Sequence, residues 1–158
     1  MEIPSKFPQF ENENVLIVVT GFQNADFYLA GSGVIEKIKS VRIPRRKYSD
    51  DEGFFAAKTK IGKSRGGVVS SGAVREYPKE AIFNEFLNQL DDELKAISKK
   101  ENISYVCLFS PDYALKKIKS SFPAALKNKV KFSIAGNYSH YSPTELIEKV
   151  DRKRKKFI

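Results

Sequence analysis

The segment KIGKSRGGVVSSGAVRE, residues 60–76, sets two adjacent glycines, Gly66 and Gly67, directly behind Arg65. Consecutive glycines give the backbone shapes closed to other residues and let it approach a ligand closely. The cations around the glycines, Lys58, Lys60, Lys63 and Arg65, with Arg75 further on, are of the kind that contact neighbouring phosphates. No acidic residue falls between Lys58 and Arg75. Two readings stay open: an ordinary solvated loop, or a tip that reaches a negatively charged target.

Further cations bracket this tip. Arg42, Arg45, Arg46 and Lys47 precede it, diluted by Asp50, Asp51 and Glu52. A second basic cluster, Arg152, Lys153, Arg154, Lys155 and Lys156, lies near the end of the chain. Cations at a helix C-terminus complement the helix dipole, which accounts for one or two of the five. An accessory contact to RNA or to an acidic surface accounts for the rest. The formal net charge is +9 in 158 residues. That balance favours an anionic partner: nucleic acid, an acidic protein or a membrane surface. Aromatic residues accompany the basic stretches, Phe54 and Phe55 beside the loop and Tyr138 and Tyr141 around His140. Such rings either stack on bases or pack at the rim of the core.

Other chemistry is scarce. The single cysteine, Cys107, sits inside the apolar run YVCLF and reads as a small buried hydrophobe. The single histidine, His140, reads as a loop residue, and any histidine-based triad or metal site would have to use it. Asp91, Asp92 and Glu93 fall on the solvated face of a helix. GSG and RGG are too short to signal a nucleotide site, and no Walker A or GxGxxG pattern is present. No cofactor or metal is expected. No run of about 18 apolar residues exists to span a membrane. MEIPSKFPQFENENV lacks the apolar core of a signal peptide, so a cytoplasmic location is the expectation.

The elements that must position these residues follow from periodicity. Residues 1–13, with two prolines and three acids, read as a flexible lead-in. NVLIVVTG reads as a central strand buried on both faces. ADFYLAG and GSGVIEKIKSVRIP alternate, with Gly31 and Gly33 marking a tight connection and Pro44 ending the third strand. The pattern fades over residues 45–78, a long basic loop. Ile82, Phe83, Phe86, Leu87, Leu90, Leu94 and Ile97 then form one stripe of a long helix, with Pro78 in its first turn. ISYVCLFS is a strand. PDYALKKIKSSF is a helix with Ser110 as its expected N-cap, PAALKNK a short helical piece, and VKFSIAG a strand. Ser142, Pro143 and Glu145 open the last helix as a capping box. The order is β-β-β, long basic loop, α-β-α-β-α. It predicts a single α/β domain over 14–158, with a mixed five-stranded sheet, an antiparallel first half and parallel later strands.

This order, with KSRGGVVSSGAVRE standing just before the helix at Tyr77–Lys100, resembles the middle domain of the eukaryotic and archaeal class-I peptide release factor. Lys63, Arg65, Gly66 and Gly67 match the basic and glycine positions of that family's Arg-Gly-Gly-Gln loop. VLIVVTGFQNADFYLAGSGVIEKI, VCLFSPDYALKKIKSSFPAALKNKV and YSPTELIEKV are similar to bacterial and archaeal relatives of the domain, including those labelled host attachment protein. The resemblance covers roughly residues 14 to 150. It implies a domain that enters the ribosome, binds ribosomal RNA and offers Gly66, Gly67 and Val68 to the ester of a peptidyl-tRNA. Val68 stands where the family has glutamine. Backbone donation survives that replacement, while selection of a water by a side-chain amide does not. No codon-reading domain accompanies the loop, so a ribosomal role is expected to be independent of codon reading, as in rescue of stalled complexes, or to use a separate protein partner. The alternative is a non-catalytic, host-attachment-type binding module for RNA or an acidic protein.

Overall fold

The computed structural model describes residues 1–44 and 79–156, so the expected basic loop over 45–78 lies outside the described residues. The elements in chain order are β1 (Val15–Thr20), β2 (Asn24–Gly31), β3 (Val34–Arg42), α1 (Lys79–Lys100), β4 (Tyr105–Ser110), α2 (Asp112–Ser120), α3 (Ala124–Lys127), β5 (Val130–Ala135) and α4 (Pro143–Lys156). They form an α/β fold around one five-stranded sheet in the order β3-β2-β1-β4-β5. The antiparallel pairs β1–β2 and β2–β3 make up one half, and the parallel pairs β1–β4 and β4–β5 the other. The expected fold class is the observed one.

Continuous apolar sequence marks the two inner strands. VLIVVT and YVCLFS are buried at every position, because helices or chain cover both faces of the sheet centre. The β2–β3 hairpin turns on Ser32 and Gly33, whose φ values are 49° and 77°. Positive φ at both central residues gives the twist that a two-residue hairpin needs.

One face carries α1, α2 and α3. Phe86, Leu90 and Leu94 of α1, Ile118 of α2 and Leu126 of α3 are fully buried there, over Leu16, Val18, Val106 and Leu108. The other face is covered differently. Leu146, Ile147 and Val150 of α4 cover part of it, and residues 1–13 cover more. Here the structure departs from the expected flexible lead-in. Ile3 and Phe10 are buried in the core of this face. Ile3 N–H donates to the Gly33 carbonyl at 2.8 Å, and the Met1 amine donates to the Ile35 carbonyl at 3.0 Å. The Gln9 amide donates to the carbonyls of Ile3, Pro4 and Phe7. A single helix leaves the β2–β3 side of this face bare, and burial of Ile3 and Phe10 outweighs the turn-forming tendency of the prolines.

A second departure concerns Ser110. It is the last residue of β4, fully buried, and its hydroxyl donates to the Pro111 carbonyl at 3.1 Å. The N-cap of α2 is Pro111, with no side-chain cap. The capping box of α4 forms as expected. Glu145 N–H donates to Ser142 Oγ at 3.3 Å, and Ser142 N–H donates to Glu145 Oε1 at 2.9 Å.

Candidate nucleic-acid interface

Strand direction fixes where the candidate residues emerge. β1, β3, β4 and β5 all point the same way, so their C-terminal ends share one edge of the sheet. β3 leads into residues 45–78 at that edge, and α1 returns from it. Open α/β sheets bind ligands outside the carboxyl ends of their strands.

The short turn after β1 ties both departures together. Gly21 N–H donates to the Asn24 carbonyl at 2.7 Å and closes the turn. Gln23 then holds Ile43 on both sides: the Ile43 N–H donates to the Gln23 carbonyl at 2.9 Å, and the Gln23 amide donates to the Ile43 carbonyl at 3.0 Å. Phe22 stacks on Phe83 of α1, with ring centroids 5.1 Å apart and planes inclined by 17°. The ring of Tyr113, in the first turn of α2, lies 6.3 Å from Phe22 and is 71% exposed. Phe22, Gln23 and Tyr113 escaped the sequence reading. A turn of type FQN carries no periodic signal, and Tyr113 differs from a core aromatic only in the direction its helix faces.

Arg42, the last residue of β3, is anchored rather than free. Its guanidinium lies 3.3 Å from Asp26 Oδ1, which also accepts from Ser40 Oγ at 2.8 Å and has Lys37 Nζ at 3.5 Å. Asp26 is a buried carboxylate made tolerable by these three donors. Tyr28, on the same face of β2, has its hydroxyl pushed above the ordinary range by burial and by the Asp26 charge, with Arg42 opposing.

The sequence-predicted site residues divide into two groups. Arg45, Arg46, Lys47, Lys58, Lys60, Lys63, Arg65, Gly66, Gly67, Val68 and Arg75 lie outside the described residues. The second cluster, Arg152 to Lys156, lies on α4. α4 begins past the C-terminal end of β5 and runs back, so Arg152 to Lys156 end at the opposite edge of the sheet. The Arg154 guanidinium sits 5.6 Å over the Phe10 ring there. A six-residue strand spans about 20 Å, which is the distance that separates the cluster from the departures of β3 and α1. Two of the five cations are engaged within the helix: Arg152 pairs with Glu148 at 2.7 Å and Lys155 with Asp151 at 2.9 Å.

The remaining candidates are structural. Cys107 is fully buried, and burial pushes its thiol up to about 12, far from thiolate reactivity. His140 is exposed, its ring 5.5 Å from Tyr141. Tyr141 in turn packs edge-on to Tyr138 at 4.8 Å, and Tyr138 edge-on to Phe109 at 5.1 Å. These two tyrosines therefore extend the core. Gly136, at φ 142°, passes beneath the Tyr138 ring, where a Cβ would come within 2.8 Å of a ring carbon. Among the described residues no group of three or more His, Cys, Asp or Glu side chains is placed to hold a metal. No helix among them is long and apolar enough to cross a membrane.

No protein-family model matches the chain, and no curated protein matches it. Among solved structures, the crystal structure of an archaeal translation termination factor is similar, with a TM-score of 0.50 and 12% identity over 92% of this chain. A structure described only as an archaeal protein has a TM-score of 0.48 and 10% identity over 92% of this chain. This chain spans 40% of the length of the first and 39% of the second. At 12% identity the likeness to the termination factor is one of fold alone.

Proposed function

We propose that this protein carries a module of the release-factor middle-domain type, binding the ribosome and peptidyl-tRNA through its basic Lys58–Arg75 segment. The observation that carries the reading is the tie formed by Phe22 and Gln23. That tie holds the strand entering residues 45–78 and the helix leaving them at the ligand-binding edge of the sheet. A chain segment with five cations, two adjacent glycines and no acid is tethered to that edge. The fold shared with a translation termination factor agrees with a translation-related role.

Lysines and arginines of the segment bind ribosomal RNA phosphates, and Gly66 and Gly67 bring the backbone to the peptidyl-tRNA ester. Co-sedimentation with ribosomes across a salt series tests the binding. The expected result is association that weakens steeply with salt, and salt-independent recovery in the supernatant would end the ribosomal reading.

One residue favours a second reading. Val68 carries no side-chain amide, so the module would bind without hydrolysing. Release of labelled peptide from stalled ribosomes separates the two. Val68→Gln is expected to raise release above the wild type, and Gly67→Ala to lower it. No release from any of the three at equal occupancy leaves a binding module.

A further inference from the structure

Tyr105, the first residue of β4, faces the α4 side of the sheet and is 7% exposed. Among the described residues, its hydroxyl is the buried side-chain polar atom that lacks a hydrogen-bond partner. A buried donor left unmade costs free energy, and native structures keep few of them.

Two cations accompany this hydroxyl, and the backbone brings them there. Val106 pairs with Val130, but Cys107 pairs with Phe132, so β5 carries one extra residue, Lys131, at this point. A bulge of this kind re-aims side chains. Phe132 meets the Tyr105 ring edge-on at 6.1 Å, and Lys131 Nζ stands 4.8 Å from the Tyr105 ring centroid. The second cation is Arg154 of α4, over Phe10. Its charge acts on Tyr105 and on Cys107 beyond it. Among the described residues neither Lys131 nor Arg154 pairs with a carboxylate. One acid, Glu13, acts on Tyr105 in the opposite sense. The local balance is two cations, one carboxylate and a donor without an acceptor.

We propose that Tyr105, Lys131 and Arg154 form a phosphate-binding site at the edge of the sheet opposite the departures of β3 and α1. Binding requires the exposed Lys131 side chain, which lies over the Tyr105 ring on an edge strand, to swing outward and admit the anion to the hydroxyl. Lys156 extends the positive field along α4, where Arg152 and Lys155 are offset by Glu148 and Asp151, and this suits the phosphodiester of an RNA strand. Inorganic phosphate has the same chemistry. The site stands on its own geometry and does not need the loop reading to hold.

The test measures binding of a short fluorescein-labelled single-stranded RNA to the full chain by anisotropy over a salt series, with inorganic phosphate as competitor. Lys131→Ala with Arg154→Ala is expected to weaken RNA binding about tenfold and to lower the salt slope by about 1.4. Tyr105→Phe is expected to weaken it about fivefold while leaving the slope unchanged and the melting temperature equal or higher. Glu13→Gln is expected to tighten it. Displacement of RNA by phosphate that disappears in the double variant supports a site open to the free anion. Insensitivity to phosphate with the other effects intact supports a site for the RNA backbone. Wild-type affinity in both Tyr105→Phe and the double variant overturns the proposal. A lower melting temperature in Tyr105→Phe with unchanged affinity also overturns it, because a buried water then satisfies the hydroxyl. The variant with Lys58, Lys60, Lys63 and Arg65 changed to Ala is measured alongside. Loss in that variant alone removes this site and keeps the loop reading, and loss in the Tyr105 group alone does the reverse.

Discussion

The two ends of the sheet both lie next to basic sequence, but the cations at one end come with partners. On α4, Arg152 and Lys155 each have a carboxylate one turn earlier, in Glu148 and Asp151, and Arg154 lies over an aromatic ring. At the other end, β3 and α1 bracket a segment with no acid between Lys58 and Arg75. The number of cations in a sequence is therefore not the number a polyanion meets. Helical periodicity assigns partners four residues away, each pair worth only about 0.3–0.5 kcal/mol, yet the pairing removes net charge from the face. Between Lys58 and Arg75 the sequence supplies no carboxylate four residues away to make such a pair.

The first way to break this comparison is to strip each end in turn. Replacing Lys58, Lys60, Lys63 and Arg65 together by Ala is expected to reduce ribosome affinity about 100-fold at low salt and to lower the salt slope by about 4. Sedimentation at several salt concentrations reads both quantities, and an unchanged slope takes the segment out of the interface.

A smaller effect, on stability, tests what holds the loop end together. Phe22→Ala removes the ring stacked on Phe83 and is expected to cost about 2 kcal/mol, less than for a fully buried phenylalanine. Urea unfolding checks the value. Ribosome affinity should fall with it, because α1 then loses its tie to the β1–β2 turn. Unchanged stability would mean the stack contributes nothing to seating the helix.

How much of this was legible beforehand depends on whether a residue belongs to a period. The α1 stripe from Ile82 to Ile97 and the inner strands were readable because core burial repeats along them. Residues 1–13 were not, since Ile3 and Phe10 earn their burial from the shape of a sheet face that α4 only partly covers. Ser110 misled for a related reason. Serine before proline is a common helix entrance, but here β4 continues through it, and a strand position holds its side chain inside. At the candidate site the charge and the glycines were visible in the sequence. The position of the α4 cluster at the end of the sheet away from the departures of β3 and α1 was not, because it follows from the direction in which α4 returns along the sheet. Tyr105 and Lys131 were equally hidden: only the register shift between β4 and β5 brings them together.

The paired cations offer the next test. Arg152→Ala with Lys155→Ala removes two charges that Glu148 and Asp151 already offset, so affinity for the ribosome is expected to fall less than fivefold. Glu148→Gln with Asp151→Asn should raise affinity, since it releases the same two cations without touching them. A loss comparable with that of the loop variant would erase the distinction between the two ends.

The smallest effect separates the two ends of α4 itself, since that helix starts near one edge of the sheet and finishes at the other. Ser142→Ala removes the acceptor for the Glu145 N–H and is expected to cost about 1 kcal/mol by urea unfolding. Its reciprocal partner adds a pH signature. Hydrogen bonds from the Ser142 backbone and side chain hold the Glu145 carboxyl below its ordinary value of 4.5. Between the two values the unfolded chain binds more protons than the folded one, so this contribution is complete above the unfolded value. It is lost as pH falls through the folded one. Glu145→Gln should therefore lower stability slightly at neutral pH, where the charge-assisted contribution is complete, and flatten the acid limb below about pH 4.5. The cations at the far end of the helix should not register the change, because the dipole and cap effects fade within a turn. RNA affinity equal to the wild type in both Ser142→Ala and Glu145→Gln is the expected result. A loss of affinity in either would mean that the first turn of α4 sets the position of Arg154, and that the two ends of the helix act as one.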